Sequence, residues 1–346
     1  MAAVYAGPTN TYVPSHNATK KMVVDFARNV KDFPVNKYTQ IVPVDQNTGF
    51  YLLMTLEEAA RILQSDGRNF LWPDGAEAPM GYNGSESFEY KEYRTIRRAL
   101  PVTFGKLTVD QASWDIVAQH ARIKAAQCMT LRTQMAITAL TTTGNYAADH
   151  TVDVSAISGN SGRWDQSTTA RNDIKRSITY ACEKILDSTL GALNLNDLQL
   201  VINSALAAKL AVTQEITDYI KGSPAALDQV RGDLGQNSMY GLPDKLYGVP
   251  LVVEDTRKLT SKKGATRAVS QVLAVSTPFI AARPGELEGV ADAPNFSTCV
   301  GFVKEEMTVE TLNDVNNRRV TGRITDDYVY KMVAPASGFL FTGAAA

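Results

Sequence analysis

A chain of 346 residues is long enough for two compact domains, or for one domain with extensions. Its apolar fraction of 44% and charged fraction of 21% are ordinary for a soluble globular protein. A formal net charge of −1 gives no electrostatic case for tight nucleic-acid binding, although a near-neutral chain suits a protein that faces nucleic acid without reading it.

The first residues, Met1-Ala2-Ala3-Val4-Tyr5, lack the basic start and apolar core of a signal peptide. No run of eighteen apolar residues follows anywhere. The expectation is a protein made in a cytoplasm that stays soluble. Residues 1–20 are rich in Thr, Asn, Pro and Gly and read as extended. A short helix is predicted from Lys20 to Val30, stopped at Asp32-Phe33-Pro34 because a residue before proline avoids the helical region. Tyr38 to Val44 and Phe50 to Met54 read as strands around the turn Asp45-Gln46-Asn47-Thr48-Gly49. Thr55 and Glu58 have capping-box spacing at a helix start.

Between Arg68 and Lys106 the pattern changes. Trp72-Pro73-Asp74-Gly75 and Asn83-Gly84 are turn chemistry, and Phe88 to Arg98 mixes charges with aromatics. Such a ribbon is wet on both faces and marginal alone. Thr108 to Gln111 has capping-box spacing at the head of one long helix, 109–141, of about 50 Å. Its apolar stripe is Trp114, Val117, Ala121, Ala125, Cys128, Leu131 and Met135, ending near Gly144 as a C-cap. The closing strands 300–334 are its expected partner.

A polar linker covers 145–163. A second amphipathic helix, about 170–187, turns Ile174, Ile178, Ala181 and Ile185 inward. Leu198 to Ile202 reads as a strand, Ser204 as the cap of a short helix to Leu210, and Gln214 to Ile220 as another helix. Gly248 to Val253 and Val272 to Val275 read as strands, so 164–290 is an α/β unit. Val300–Val309 and Arg319–Val333 form a closing pair, followed by the short strand Gly338 to Phe341.

Chemistry motifs are absent. His16, His120 and His150 are scattered, with no metal-ligand spacing, and His120 reads as a structural histidine in the long helix. There is no GxxxxGK[ST] loop and no G-x-S-x-G elbow. Cys128, Cys182 and Cys299 are odd in number and widely spaced, which fits small buried hydrophobes and not a disulfide framework. No catalytic, cofactor or metal residue is expected. Arg94, Arg97 and Arg98 share their ribbon with Glu86, Glu89 and Glu92, a mixture that favours ion pairs with another protein surface over a nucleic-acid patch.

The order of these parts resembles the major capsid proteins of tailed phages, with the Hong Kong 97-type fold. Trp164-Asp165 with Asp173-Ile174, Leu200-Val201-Ile202, Gly248-Val249-Pro250 and Tyr330 to Phe339 carry the resemblance along with the arm, the ribbon and the long helix. It implies an α+β chain with an N-terminal arm (1–55) and an extended loop (68–106). A peripheral domain with a long spine helix would take 56–67, 107–145 and 300–334. An axial α/β domain would take 146–299 and 335–346.

The implied function is self-assembly into hexamers and pentamers of an icosahedral phage head enclosing double-stranded DNA. The virion would be its place, and assembly would occur in the host cytoplasm. Scaffolding, portal and decoration proteins would be separate partners. Phe88, Tyr90, Tyr93, Arg94, Arg97 and Arg98 of the loop, and Phe33, Pro34 and Tyr38 of the arm, are the implied contacts between subunits. Some shells of this fold form a Lys–Asn isopeptide bond beside a Glu base. Lys91 with Asn316 or Asn317 would supply it here, near Glu305, Glu306 and Glu310, although Lys91 reads more simply as an ion-pairing surface residue. The rival readings are an encapsulin-type nanocompartment, which shares the fold, and a soluble α/β enzyme built on 164–290.

Overall fold

Two sheets organise the chain in a computed structural model that describes residues 5–6, 11–12, 28–54, 74–75, 88–111, 115–191, 193–221, 242–262, 264–283, 297–314 and 317–346. The elements in order are β1 (Tyr5–Ala6), β2 (Thr11–Tyr12), α1 (Val35–Tyr38), β3 (Gln40–Pro43), β4 (Thr48–Met54), β5 (Phe88–Arg94), β6 (Ile96–Gly105), α2 (Lys106–Gln111) and α3 (Ile116–Thr141). The second half holds β7 (Thr151–Asp153), α4 (Asp173–Ser188), β8 (Leu198–Asn203), α5 (Ser204–Ala211), α6 (Gln214–Lys221), β9 (Lys245–Leu246), β10 (Val249–Glu254), β11 (Arg257–Leu259) and β12 (Val269–Gln271). It closes with β13 (Phe279–Ala282), β14 (Cys299–Asp314), β15 (Arg319–Met332) and β16 (Phe339–Thr342).

The six-stranded sheet has the order β7-β16-β13-β8-β10-β9. Its central strands are almost wholly apolar because both of their faces are covered. Leu200 and Ile202, Ile280, and Phe339 and Phe341 face one core, with Trp164 and the α4 residues Ile174, Ile178, Ala181 and Ile185. Val201, Phe279, Ala281 and Leu340 face a second core. That second core is completed by Phe33, Val35 and Tyr38, by Met129, Ala136, Ile137 and Leu140 of α3, and by Tyr328 and Tyr330 of β15. Each such buried side chain contributes about 2 kcal/mol.

The expected α4 face, β8 strand and closing hairpin are all present. The residue Trp164, singled out in the sequence, is fully buried and donates its indole N–H to Ser177 Oγ at 3.0 Å. Glu215 of α6 caps α4 from outside, accepting the backbone N–H groups of Ile174 and Lys175 at 3.1 and 3.0 Å, and Tyr247 O–H at 2.6 Å. Tyr247 reaches it because Tyr247-Gly248 is a two-residue turn with positive φ at both positions, 50° and 91°, as a type I′ hairpin requires.

The four-stranded sheet has the order β3-β14-β15-β6, and α3 packs across β14 and β15 as expected. Several expectations are corrected. Tyr38–Val44 and Phe50–Met54 do not form a hairpin: β3 pairs parallel with β14, and β4 pairs with β5. The strand expected at Val272–Val275 is displaced to β12 and β13, which flank it. Asn203, not Ser204, caps α5, accepting from Ala205 N at 2.6 Å.

The long helix starts later than its capping-box signal. Thr108 lies inside α2, and the N-cap is Asp115, whose side chain accepts from Ala118 N at 2.9 Å. The helix is therefore about 39 Å long. Gly144 sits in a 3-10 turn beyond the end at Thr141. The buried face is also rotated, to Cys128, Met129, Arg132, Thr133, Ala136, Ile137 and Leu140, while Val117, Ala121, Ala125, Leu131 and Met135 are half-buried. Apolarity could not point to that face, because its centre is an arginine. Residues 20–27 and 55–58, Trp114 and most of the expected loop turns lie outside the described residues. Among those described, no helix is long and apolar enough to cross a membrane.

Candidate assembly surface

The β4–β5 ribbon rises from the four-stranded sheet with register Gly49↔Tyr93, Tyr51↔Lys91 and Leu52↔Tyr90. Strand alternation gives it two unlike faces. Tyr93 stacks on Phe302 of β14 with ring centroids 4.4 Å apart and 9° between planes, and Tyr51 stacks on the same ring at 5.5 Å. Gly49 opposite Tyr93 is a requirement of this stack, since a Cβ there would lie 2.5 Å from the Tyr93 hydroxyl. The other face carries Phe50 and Tyr90, 72% and 68% exposed. They flank Glu92, which pairs with Phe50. Two large aromatics are thus exposed together on one face of the ribbon.

The expected loop contacts therefore separate. Tyr90 points outward and Arg94 is exposed. Tyr93, half-buried, stacks within its own subunit. Arg97 and Arg98 are also engaged within the chain, because β6 joins the four-stranded sheet beside β15. Arg97 lies 3.5 Å from Glu305 and 3.9 Å from Asp327. Arg98 lies over the Tyr328 ring at 4.5 Å and donates to the Tyr328 carbonyl at 3.2 Å. For Phe88 the backbone is placed in β5, and its side chain lies outside the description. Phe50 is an exposed aromatic that the sequence reading does not single out. Its signal is the alternation Gly49-Phe50-Tyr51, which puts an aromatic on each face.

Below the ribbon, α3 is fastened to β15 by a buried ion pair. Arg132 is 0% exposed and Asp326 1%, with Arg132 Nε and Nη2 donating to the two carboxylate oxygens at 2.8 and 2.5 Å. The guanidinium also lies 5.3 Å from the Tyr328 ring. Bidentate geometry of this kind is the form in which an arginine is tolerated inside a protein. The next residue, Asp327, is equally buried at 1%, yet neither oxygen has a hydrogen-bond partner among the described residues. Arg97 at 3.9 Å is the cation that faces it.

The arm residues lie within the subunit: Phe33 and Tyr38 are buried in its second core, and Pro34 is buried next to Phe33. Tyr38 packs edge-on against Phe279 at 5.7 Å and donates to Glu254 Oε2 at 2.8 Å. Burial raises the Glu254 carboxyl above its ordinary value, an effect only partly offset by hydrogen bonds from Thr256 and Tyr38. Arg28 pairs with Asp255 at 2.6 Å and covers Phe33, so 28–43 is a structural part of the body. Lys91 is placed on β5 and Asn317 at the turn of the long hairpin, while Asn316 lies outside the described residues.

The described histidines and cysteines are held by contacts within the fold. His150 is buried between Gly338 O and Ser188 Oγ, each 2.7 Å from a ring nitrogen. His120 meets Phe104 edge-on at 4.7 Å. All three cysteines are buried free thiols, and burial pushes Cys299 up to about 12. Among the described residues no cluster of His, Cys, Asp or Glu could hold a metal ion.

No protein-family model matches the chain, and no curated protein matches it. Solved structures do. A phage-related protein from Bordetella bronchiseptica RB50 aligns over 91% of this chain and 93% of its own, with TM-score 0.59 and 18% identity. A chain of the bacteriophage PhiM1 mature capsid aligns over 99% and 96%, at 0.53 and 14%. The SrpI encapsulin of Synechococcus elongatus PCC 7942 aligns over 96% of both chains, at 0.52 and 10%.

The chain has the Hong Kong 97-type capsid fold.

Proposed function

We propose that the protein is a major capsid protein of the tailed-phage kind, assembling through hexamers and pentamers into an icosahedral shell around double-stranded DNA. The observation that supports this most is a single capsid fold matched from end to end, combined with a ribbon that leaves Phe50 and Tyr90 uncovered. Its mechanism is distributed binding. Residues 1–55 would act as an arm whose base is fixed in the subunit. The ribbon from 68–95 would lie on a neighbour, with 96–105 belonging to the peripheral sheet beside 107–145 and 300–334. The axial domain would be 146–299 with 335–346. Many such contacts, each of ordinary size, sum to the area a stable shell needs. The virion is the implied location, with scaffolding, portal and decoration proteins as separate partners.

The encapsulin reading has support of its own in the SrpI likeness. One experiment tests both. Particles purified from a producing host are treated with nuclease and their contents analysed. Nuclease-protected double-stranded DNA is the expected result. A shell filled with a protein cargo and no DNA would transfer the chain to the nanocompartments, and the absence of any particle would sink both readings.

A further inference from the structure

From Thr256 to Gly285 the chain contains Arg257, Lys258, Lys262, Lys263, Arg267 and Arg283 and no Asp or Glu. In a chain with 35 basic and 36 acidic residues this is a marked local imbalance, which the net charge hides. Most of these cations sit on the β11–β12 hairpin. Arg257, Lys262 and Arg267 are exposed and Lys258 is half-buried. Among the described residues none of these four lies within ion-pair distance of a carboxylate.

The hairpin is a built element. Its register is Arg257↔Gln271, Lys258↔Ser270 and Leu259↔Val269. Thr260 N donates to Ala268 O at 2.9 Å, and Ala265 N to Lys262 O at 3.1 Å closes the turn, with Gly264 at φ 89°. Gln271 ties the foot to Ser204 Oγ at 2.8 Å. The tip also carries Ser261 and Thr266, hydroxyl donors among the cations, while the Thr260 hydroxyl donates to Ala268 O at 3.2 Å.

We propose that this hairpin is a contact for the phosphate backbone of nucleic acid. Like charges crowded on one hairpin repel each other, and a polyanion relieves that repulsion while releasing its own counterions. Lys and Arg with Ser and Thr hydroxyls are the donors that bind phosphate oxygens without reading bases. An acidic face on a second copy is the poorer fit. On the long hairpin Glu305, Glu306 and Glu310 already face Arg97, Arg132 and Arg323 at 3.5, 3.5 and 2.6 Å. The inference rests on the shell reading for why DNA would be near, and on the hairpin alone for its chemistry.

The test uses the full chain as dissociated subunits and a mixed-sequence DNA duplex of about 40 base pairs, titrated between about 50 and 200 mM salt. Wild-type affinity should fall with salt. The variant R257Q/K262Q/R267Q should bind at least about tenfold more weakly at the low-salt end, with its log–log salt slope reduced by about 3. These side chains are exposed, so its thermal unfolding should match wild type. The charge-keeping variant R257K/R267K guards against a folding defect and should keep the slope.

An unchanged slope in R257Q/K262Q/R267Q would overturn the inference. So would poly-glutamate binding as tightly as DNA with the same dependence on the hairpin, since the ligand would then be an acidic protein surface. Electron microscopy of the same variants separates the two proposals. Shells without hairpin-dependent DNA affinity sink this inference alone. Hairpin-dependent binding by a protein that forms no shells sinks the shell reading alone.

Discussion

The six-stranded sheet and the β4–β5 ribbon are both β structure, but they stand differently toward solvent. In the sheet, Leu200 and Val201 point to opposite sides and both are fully buried by the chain itself. In the ribbon, Tyr51 and Tyr93 rest on Phe302 while Phe50 and Tyr90 on the other face stay in water. One region is complete within the subunit, and its apolar burial is folding energy. The other is covered on one face only. On the shell reading proposed above, a subunit needs both, because it must fold before it assembles.

Changes inside the body should act on folding. The largest effect is expected from Arg132→Ala, which strands the Asp326 carboxylate between α3 and β15. A loss of about 3–5 kcal/mol should leave the subunit insoluble or with a strongly lowered thermal midpoint, before any assembly step. Glu215→Ala should follow, at about 2 kcal/mol, because it uncaps α4 and removes the hydrogen bond that Glu215 accepts from the Tyr247 hydroxyl. Denaturant unfolding of the dissociated subunit measures both.

Tyr38→Phe should cost about 1–3 kcal/mol by removing a donor from the buried Glu254. Glu254 also gives a pH signature. Its folded carboxyl titrates above its ordinary value of 4.5, so the protonated form is the one that the fold favours. Its contribution to stability is present below that ordinary value and is lost as pH rises through the folded one. Glu254→Gln should remove this part of the pH profile, so that the variant gains on wild type as pH rises. A parallel pair of stability curves would show that the carboxylate is not penalised by its site.

How much of this was legible in the sequence follows the same division. The helix α4 and the strand β8 were readable, because their partners are close in the chain and their apolar pattern is regular. The closing hairpin was readable from strand propensity, although the register shifts between Val303 and Thr308 were not. The buried face of α3 was not readable. Arg132 looks like a solvent residue until Asp326, nearly two hundred residues later, is placed beside it. The same is true of Phe33 and Tyr38, whose aromatic character could mark an interface or a core. Only the parallel pairing of β3 with β14, a long-range contact, decides for the core. Tyr93 and Arg98 also make contacts within the chain, to Phe302 and Tyr328, that are equally remote in sequence.

Changes on the outer face of the ribbon should act on assembly and hardly on folding. Phe50→Ser with Tyr90→Ser should leave subunit stability within about 0.5 kcal/mol of wild type, since neither side chain is packed. The yield of closed particles should fall sharply. Tyr93→Ala should behave differently, weakening both, because it removes the stack on Phe302.

The central claim is that Phe50 and Tyr90 wait for a neighbouring subunit, and hydroxyl-radical footprinting tests it most directly. Side-chain oxidation would be compared in dissociated subunits and in intact particles, with the buried Tyr328 as the internal reference. The account predicts that Phe50 and Tyr90 are readily oxidised in the subunit and protected in the particle, while Tyr328 is protected in both. Equal oxidation of Phe50 and Tyr90 in the two states would contradict it.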